Sequence, residues 1–147
     1  MIEIIQVKNE EDLLLCAKLR KQVFGDEENA LECLYSIDEY DKKEDTVNYL
    51  LKVDNIAVAT VRFIKIDDLA VKLQRFVVLK EYRNKGYAKM LLENLERDVY
   101  NSGYKKIVMD SSQKSIGFYE KYNYKAISDV YYEDNRYRVK MEKELVI

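Results

Sequence analysis

The feature of this sequence that most constrains its fold is a series of three β-rich segments that leads directly into a helical segment. The first two, Val47 to Val53 and Ile56 to Ile66, are separated by Asp54-Asn55, a residue pair typical of tight hairpin turns. The third, about Val71 to Val78, follows the turn Asp67-Asp68, and the three together predict an antiparallel meander. After the meander the apolar residues recur at helical spacing, in Ala88, Leu91, Leu92, Leu95 and Val99.

The rest of the chain alternates between strand and helix patterns. Further strands are predicted at Ile2 to Val7, Lys105 to Asp110, Lys125 to Tyr132 and Arg136 to Leu145, and further helices from Asn9 to about Phe24, within Gly25 to Thr46, and from about Gln113 to Tyr122. We expect Asn9 and Ser112 to be N-caps and Asn123 to end its helix in a left-handed conformation. The order β-α-α-β-β-β-α-β-α-β-β predicts an α/β (α+β) fold with a mixed, mostly antiparallel central sheet. We expect one domain, residues 1–147.

The composition excludes several classes of function. The 25 Lys and Arg residues and the 27 Asp and Glu residues give a net charge of -2 without a dominant basic block, so no nucleic-acid partner is expected. Histidine is absent and Cys16 and Cys33 are the only cysteines, so the usual zinc ligand sets cannot form and no metal site is expected. The sequence has neither a cationic leader followed by an apolar run nor a membrane-length apolar segment, which predicts a cytoplasmic protein without a membrane partner.

A glycine-containing loop, Arg83-Asn84-Lys85-Gly86-Tyr87-Ala88, connects the meander to the helix that follows it. A strand that passes through such a loop into a helix presents unpaired backbone N–H groups and the positive end of the helix dipole, and this arrangement binds phosphate. Gly86 allows close approach of the backbone, while Arg83 and Lys85 add positive charge. Because the same pattern occurs at ordinary helix starts on protein surfaces, its meaning depends on the surrounding segments.

Those segments resemble the GNAT superfamily of N-acetyltransferases. The family carries R/Q-x-x-G-x-G/A at this strand-to-helix junction, and the similar block here runs from Gln74 to Ala88. A second block, Ser115 to Tyr124, is similar to the family's A-x-x-F-Y-E-K-x-G-F. The resemblance extends over the whole chain, because the predicted order of elements is also that of the family.

The resemblance implies acetyl-CoA as the donor substrate. It places Phe76-Val77-Val78 beside the pantetheine arm, and it implies that the two central parallel strands splay apart so that N–H groups near Val78 hold the acetyl carbonyl. Tyr119 stands where many members carry the general acid that protonates the departing thiolate; the alternative is that Tyr119 only packs its helix. The residues expected to contact the donor are Phe76, Val77, Val78, Arg83, Asn84, Lys85, Gly86, Tyr87, Ala88, Ser112 and Tyr119.

The acceptor side is less explicit in the sequence. Without histidine, the proton of the amine must leave through a carboxylate, a tyrosine or an ordered water chain. We predict that Glu27 or Glu39 lines the acceptor pocket and holds an ammonium or relays its proton, although either also fits a solvated acidic residue. The acidic stretch from Asp26 to Asp45 favours a small amine or amino acid as the acceptor.

A branch of the superfamily offers a further resemblance at the C-terminus. That branch carries E-x-G-I-x-H-x-x-M, and Glu133 to Met141 looks like it, with Arg138 at the histidine position. Arg20 and Arg138 are therefore alternative partners for a carboxylate of an amino-acid acceptor. Homodimers are common in the family, and the tyrosines near Tyr132 and Tyr137 fit either an interface or a core face.

Other functions compete with small-molecule acetyl transfer. A catalytically silent acyl-CoA-binding or regulatory module would keep the fold and lose the acceptor chemistry, and a protein or peptide amine is an alternative acceptor. Kinases and dinucleotide enzymes are excluded, because the loop lacks a G-K-[ST] ending and a G-x-G-x-x-G pattern and follows an antiparallel meander.

Overall fold

The structure is a computed structural model that describes residues 1–146, and it confirms the predicted fold class. Its strands are β1 (Ile2–Gln6), β2 (Val47–Val53), β3 (Ile56–Lys65), β4 (Ala70–Val78), β5 (Lys106–Ser112), β6 (Lys125–Ala126), β7 (Tyr131–Glu133) and β8 (Arg136–Glu144). Its α-helices are α1 (Glu10–Arg20), α2 (Tyr87–Asn101) and α3 (Ile116–Lys121). A π-helical segment, Lys21–Glu27, continues α1, and 3₁₀ turns occupy Glu32–Leu34, Tyr40–Lys42, Lys80–Tyr82 and Gln113–Ser115.

The strands form one mixed sheet in the order β1-β2-β3-β4-β5-β8-β6, with β7 also paired to β8. Every pairing is antiparallel except that of β4 with β5. These two strands pair only between residues 70–72 and 106–108, although β4 continues to Val78 and β5 to Ser112. The splayed central strands implied by the family resemblance are therefore present, and they open the sheet at its centre.

Side-chain alternation along the strands divides the core between the two faces of the sheet. On β2, Leu50 packs with Cys16 of α1, whereas its neighbours Tyr49 and Leu51 pack on the other face with α2. The residues that α2 contributes are Leu91, Leu92, Leu95 and Val99. Helices α1 and α2 thus cover opposite faces, and α3 adds Tyr119 to the face that α2 covers.

Two of the three predicted helix ends are confirmed. The side chain of Asn9 accepts a hydrogen bond of 2.8 Å from the backbone N–H of Asp12, and Asn123 has a left-handed φ of 73°. Ser112 does occupy the N-cap position of the 3₁₀ turn Gln113–Ser115, but its side chain makes no capping hydrogen bond, because its hydroxyl donates to the hydroxyl of Ser115 at 3.0 Å.

The helix predicted to reach Phe24 changes type at Arg20. From Lys21 it becomes a π-helix, in which the N–H of Glu28 donates to the carbonyl of Val23, five residues earlier. This wider turn lies next to the open centre of the sheet, where Val23 and Glu28 both line a cleft.

The strand predicted over residues 125–132 is interrupted. β6 and β7 both lie along β8, but the register differs between them, because Lys125 pairs with Glu142 whereas Tyr131 pairs with Arg138. In the interval the hydroxyl of Ser128, instead of a backbone carbonyl, accepts the N–H of Lys140 at 2.9 Å. The sequence pattern therefore predicted the position of this strand segment correctly but not the interruption between β6 and β7.

Two properties of the surface bear on the partners expected from the sequence. No helix within residues 1–146 is both long enough and apolar enough to cross a membrane. Tyr132 and Tyr137 are exposed and stack on each other with ring centroids 5.0 Å apart, so they do not form a core face. The homodimer stays a prediction.

Candidate active site

The edge of β4 that faces β5 has no strand partner beyond residue 72 in the described part of the chain. The N–H of Leu79 donates to the carbonyl of Val58 on β3 at 2.9 Å, and successive residues of a strand direct their N–H groups to opposite edges. The N–H and carbonyl of Val78 therefore face the open side, where that carbonyl accepts the Nε of Arg83 at 2.9 Å. An unpaired edge of this kind can bind the amides of an extended ligand.

A β-bulge in β4 lies within this open edge. The register between β3 and β4 shifts between Thr60 and Arg62, and Arg75 has a left-handed backbone with φ of 57°. This conformation is strained for a residue with a Cβ, and bulges re-aim the side chains next to them. Gln74, Arg75 and Phe76, at and beside this bulge, all line one cavity.

The loop after β4 has the backbone geometry of an anion site. Asn84 and Gly86 have positive φ angles of 62° and 87°, and Gly86 immediately precedes α2. Within residues 1–146, no side chain caps the start of α2 and its first turn contains no acidic residue. The first N–H groups of α2 and the positive end of its dipole are therefore available to a ligand.

These elements surround a cleft of about 600 Å³ that β4, the loop and α3 line together. The predicted donor contacts found in its lining are Phe76, Val77, Val78, Arg83, Asn84, Gly86, Tyr87, Ala88 and Tyr119. Lys85 is exposed and Ser112 faces elsewhere, so neither lies in this lining. The cleft is also lined by three cations that were not predicted from the sequence, Lys89, Lys114 and Lys121. The positions of α2 and α3 beside the loop would have indicated them.

Arg83 connects the loop to β4, and its positive charge is neutralised by Glu27. Besides its bond to Val78, its guanidinium donates to both carboxylate oxygens of Glu27, at 2.6 and 2.7 Å. The hydrogen bonds from Arg83 lower the pKa of Glu27 and keep that carboxylate ionised. The sequence analysis assigned Arg83 to the donor and Glu27 to the acceptor, whereas the structure joins the two residues.

Tyr119 lies where this cleft meets a second cavity. Its side chain is buried, with ring centroids 5.3 Å from Phe118, 5.5 Å from Tyr124 and 6.5 Å from Phe76. Burial raises the pKa of the Tyr119 phenol, so its hydroxyl is protonated at neutral pH. A buried phenol in this position can donate a proton into either cavity.

The second cavity, which we call the side chamber, has a volume of about 100 Å³. It shares Phe76, Ser115 and Tyr119 with the cleft, so the two cavities adjoin. Ser112, predicted to contact the donor, lines the side chamber. The charged residues of its lining are Lys72, Arg75, Asp110, Arg136 and Arg138.

Neither carboxylate predicted for the acceptor side lines the side chamber. Glu27 is held by Arg83, and Glu39 is exposed just before the turn Tyr40–Lys42. The structure therefore does not bring either of them into the side chamber, and their role at the acceptor stays a prediction.

Asp110 is the single carboxylate in the lining of the side chamber within residues 1–146. It accepts Lys72 Nζ at 2.6 Å and Lys140 Nζ at 3.2 Å. Burial alone would raise the pKa of Asp110, but these bonds lower it to about 2. At neutral pH Asp110 is thus a counter-ion and a weak base.

A buried network of charges anchors the acidic loop. Arg20 donates to both carboxylate oxygens of Asp41 at 3.0 Å, and Arg62 contacts Asp41 at 2.9 Å and Asp38 at 2.7 Å. The side chains of Arg20, Arg62 and Asp41 are fully buried. Arg20 was predicted as an alternative partner for a carboxylate of the acceptor. It is instead bound to Asp41, and neither Arg20 nor Asp41 lines the side chamber.

Comparisons with known proteins agree with this architecture. The family model described as "Acetyltransferase (GNAT) domain" matches residues 17–145. A Bacillus subtilis (strain 168) protein named as a candidate acetyltransferase is 30% identical over 146 residues, which cover 97% of each chain. The crystal structure of Escherichia coli ElaA has a TM-score of 0.85 and 24% identity, covering 98% of this chain and 100% of that one. A GNAT family acetyltransferase of Elizabethkingia anophelis, solved with acetyl-CoA bound, has a TM-score of 0.70 and 19% identity over 98% of both chains.

Proposed function

The chain belongs to the GNAT family of acetyltransferases, and from this we propose that it transfers an acetyl group from acetyl-CoA to the primary amine of a small molecule or an amino acid. The observation that carries the proposal is the junction of the cleft and the side chamber at Phe76, Ser115 and Tyr119. A donor in the cleft and an acceptor in the side chamber would meet there, which fits direct transfer within a ternary complex. We propose that the whole chain, residues 1–147, is one such domain.

The cleft fits the chemistry of acetyl-CoA. The open edge of β4 suits the amides of a pantetheine arm, and the loop at Asn84 and Gly86 suits a pyrophosphate. Lys89 and Lys121 supply positive charge that Arg83, paired with Glu27, and Lys114, paired with Glu28, do not supply. The acetyl-CoA bound to the relative from Elizabethkingia anophelis supports this use of the cleft.

The reacting groups follow from the same geometry. The amine nitrogen attacks the carbonyl carbon of the acetyl group, and the N–H of Val78 on the open edge stabilises the oxyanion. The C–S bond then breaks, and the leaving sulfur takes the proton of the Tyr119 hydroxyl, so that CoA departs as a thiol. Solvent water returns a proton to Tyr119 before the next cycle.

The amine must lose one proton during the reaction. Asp110 is held ionised by Lys72 and Lys140, which makes it a weak base, and Glu27 is bound to Arg83. We therefore assign the removal of this proton to water in the open side chamber.

The proposed function is tested by measuring CoA thiol release with acetyl-CoA and a panel of small amines, amino acids and peptides, with the acetylated product identified by mass. Acetylation of small amines supports the proposal. Tight CoA binding without turnover on any acceptor would establish a silent acyl-CoA-binding module, and turnover restricted to peptides would move the acceptor to a protein amine.

A further inference from the structure

The side chamber is lined by more positive than negative charge. Four cations, Lys72, Arg75, Arg136 and Arg138, face one carboxylate, Asp110. A simple ammonium entering this cavity would be repelled, because like charges at short range in a partly buried site interact strongly. The lining therefore differs from that expected for an acceptor whose single charged group is its amine.

Two of these cations already have close counter-ions. Lys72 lies 2.6 Å from Asp110, and Arg136 lies 2.7 Å from Glu28. They contribute little uncompensated charge to the chamber.

Arg138 has weaker partners. Its guanidinium nitrogens lie 3.7 Å from Glu133 and 3.4 Å from Asp134, and those carboxylates are 58% and 42% exposed, whereas the Arg138 side chain is only 12% exposed. Arg138 is opposite Ser112, the last residue of β5, at the end where the central strands have separated. Arg138 is largely buried and has only these two long ion pairs, so its guanidinium can bind an anion in a bidentate manner at this place.

Arg75 is also short of negative charge. Its nearest carboxylate, Asp38, lies at 3.7 Å and is already bound by Arg62 at 2.7 Å. Its buried Nε has no hydrogen-bond partner within residues 1–146. Burial and the neighbouring Arg62 lower the pKa of Arg75 to about 10, as expected for a cation that lacks a counter-ion. Arg75, at the strained bulge, nevertheless lines the chamber.

The acidic loop no longer argues for a purely cationic acceptor. The sequence analysis expected it to attract a cation, but Glu27, Glu28 and Asp41 are each paired with arginines in the structure. The charged side chains near the junction that lack a close counter-ion are therefore cations.

Resting on the proposed function, we propose that the acceptor carries an anionic group, a carboxylate or a phosphate, beside its amine, and that Arg138 and Arg75 bind this group. The amine would then point to the junction at Tyr119. The surrounding cations also favour the neutral form of the amine, which is the nucleophile. The arrangement thus selects the substrate and helps to deprotonate it.

Two matched pairs of acceptors test the proposal with the full-length chain and acetyl-CoA. β-Alanine is compared with β-alaninamide, and phosphoethanolamine with ethanolamine, at equal concentrations of the neutral amine. We expect kcat/KM to be at least about tenfold higher for one or both anionic members, as one charged hydrogen-bonded contact would give. The pair with the larger ratio identifies the anion as a carboxylate or a phosphate.

Variants of Arg138 then test whether this residue binds the anionic group of the acceptor. Arg138→Gln should reduce the preference about tenfold by raising KM for the anionic acceptor, with kcat and the Kd of acetyl-CoA unchanged. Arg138→Lys should keep part of the preference, because lysine retains the charge without the planar fork. Lys125→Gln, which removes an exposed cation of β6 outside both cavities, should leave the preference intact.

The outcomes separate the inference from the function on which it rests. Equal or higher kcat/KM for the neutral members, or a preference that survives Arg138→Gln in a protein that binds acetyl-CoA normally, overturns the inference alone. Absence of turnover with every acceptor overturns the proposed function, and the inference falls with it. If Arg138→Gln fails to bind acetyl-CoA, Arg138→Lys is compared with the wild type instead. An unchanged ratio of kcat/KM for the anionic and neutral acceptors in Arg138→Lys would overturn the role of Arg138.

Discussion

Tyr119 combines two properties that a proton donor to a thiolate requires. It stands at the junction of the two cavities, and its phenol is protonated at neutral pH, where burial holds its pKa above the ordinary value. Its ring also packs against Phe76, Phe118 and Tyr124, so its hydroxyl is positioned by neighbours on both β4 and α3. Packing and acid catalysis therefore depend on different parts of one side chain, which allows them to be tested separately.

Replacing Tyr119 by Phe keeps the ring and removes the proton. We expect kcat to fall by roughly 10²–10³, within the range for loss of a general acid, while the Kd of acetyl-CoA and the thermal midpoint stay close to those of the wild type. Steady-state rates and calorimetric CoA binding measure the two effects. Tyr132→Phe, at an exposed tyrosine of β7, is the matched control and should retain full activity. A Tyr119→Phe enzyme within threefold of the wild type would leave Tyr119 only its packing role.

The pairing of Glu27 with Arg83 predicts an effect on the donor. Because Glu27 neutralises Arg83 beside the proposed pyrophosphate site, Glu27→Gln should tighten CoA binding by a factor of about two to five, the size expected for a partly exposed charge. The pH-rate profile should not change. Glu39→Gln, at an exposed carboxylate outside both cavities, should alter neither quantity. A shift in the pH-rate profile of either variant would instead assign that residue to proton transfer.

At the scale of elements, the start of α2 depends on Gly86, whose backbone conformation would be strained for a residue with a Cβ. Gly86 has φ of 87°, and a Cβ built there would meet no atom within 4 Å, so the cost of a side chain is conformational and not steric. Gly86→Ala should destabilise the fold by about 1–2 kcal/mol. It should weaken CoA binding about tenfold or more, because relaxation of this backbone redirects the first N–H groups of α2.

Gly117 provides the control for that substitution. It lies in α3, its φ is not positive, and a Cβ there also meets nothing within 4 Å. Gly117→Ala should therefore be neutral or stabilise the fold by about 0.5–1 kcal/mol, and CoA affinity should be unchanged. Urea unfolding and isothermal titration would measure both variants, and equal CoA affinities for the two would refute the role assigned to the Gly86 backbone.

The elements that local sequence determines were predicted well. The hairpin residues Asp54 and Asn55 do adopt positive φ angles of 50° and 69°, and the helical period after Gly86 does define α2. The cleft proposed for the donor could be predicted in part for the same reason, since the loop and the strand before it are contiguous in sequence.

The side chamber and the ion pairs near the cleft were not predictable, because they join residues that are distant in sequence. Glu27 and Arg83 are 56 positions apart, and no local pattern indicates that they pair. The bulge that turns Arg75 to the side chamber has no signature in residue type, since arginine is uncommon with positive φ. Arg138 was singled out only through the family resemblance, and its partners depend on the turn at Asp134.

At the scale of the whole molecule, the buried charges tie the acidic loop to the sheet and make the stability depend on pH. Burial alone would raise the pKa values of Asp38 and Asp41, but hydrogen bonds from Arg62 and Arg20 hold both below the usual range, and Asp110 is lowered to about 2. Because the folded-state pKa values lie below the unfolded value of about 3.9, these groups stabilise the fold above that pH and lose their effect as the pH falls through the folded values.

The free energy of unfolding should therefore be nearly constant from pH 7 to pH 5 and decrease steadily below about pH 4. Urea unfolding followed by circular dichroism at a series of pH values would measure this dependence. A free energy that stays level down to pH 3 would show that the ionised carboxylates of the network are no more stable in the fold than in the unfolded chain.

Asp41→Asn tests the network directly, because Asp41 is the carboxylate that both buried arginines share. The amide keeps the shape but leaves buried Arg20 without its carboxylate partner and Arg62 with Asp38 alone. Removing one partner of a buried ion pair costs about 3–5 kcal/mol, so a large decrease in unfolding free energy is expected at pH 7. Glu44→Gln, at an exposed position of the same loop, should have almost no effect. The difference between Asp41→Asn and the wild type should shrink toward pH 3, because below about pH 3.9 the unfolded wild type binds a proton at Asp41 while the fold keeps that carboxylate ionised. A difference that persists unchanged at low pH would mean that packing, and not charge, holds the loop to the sheet.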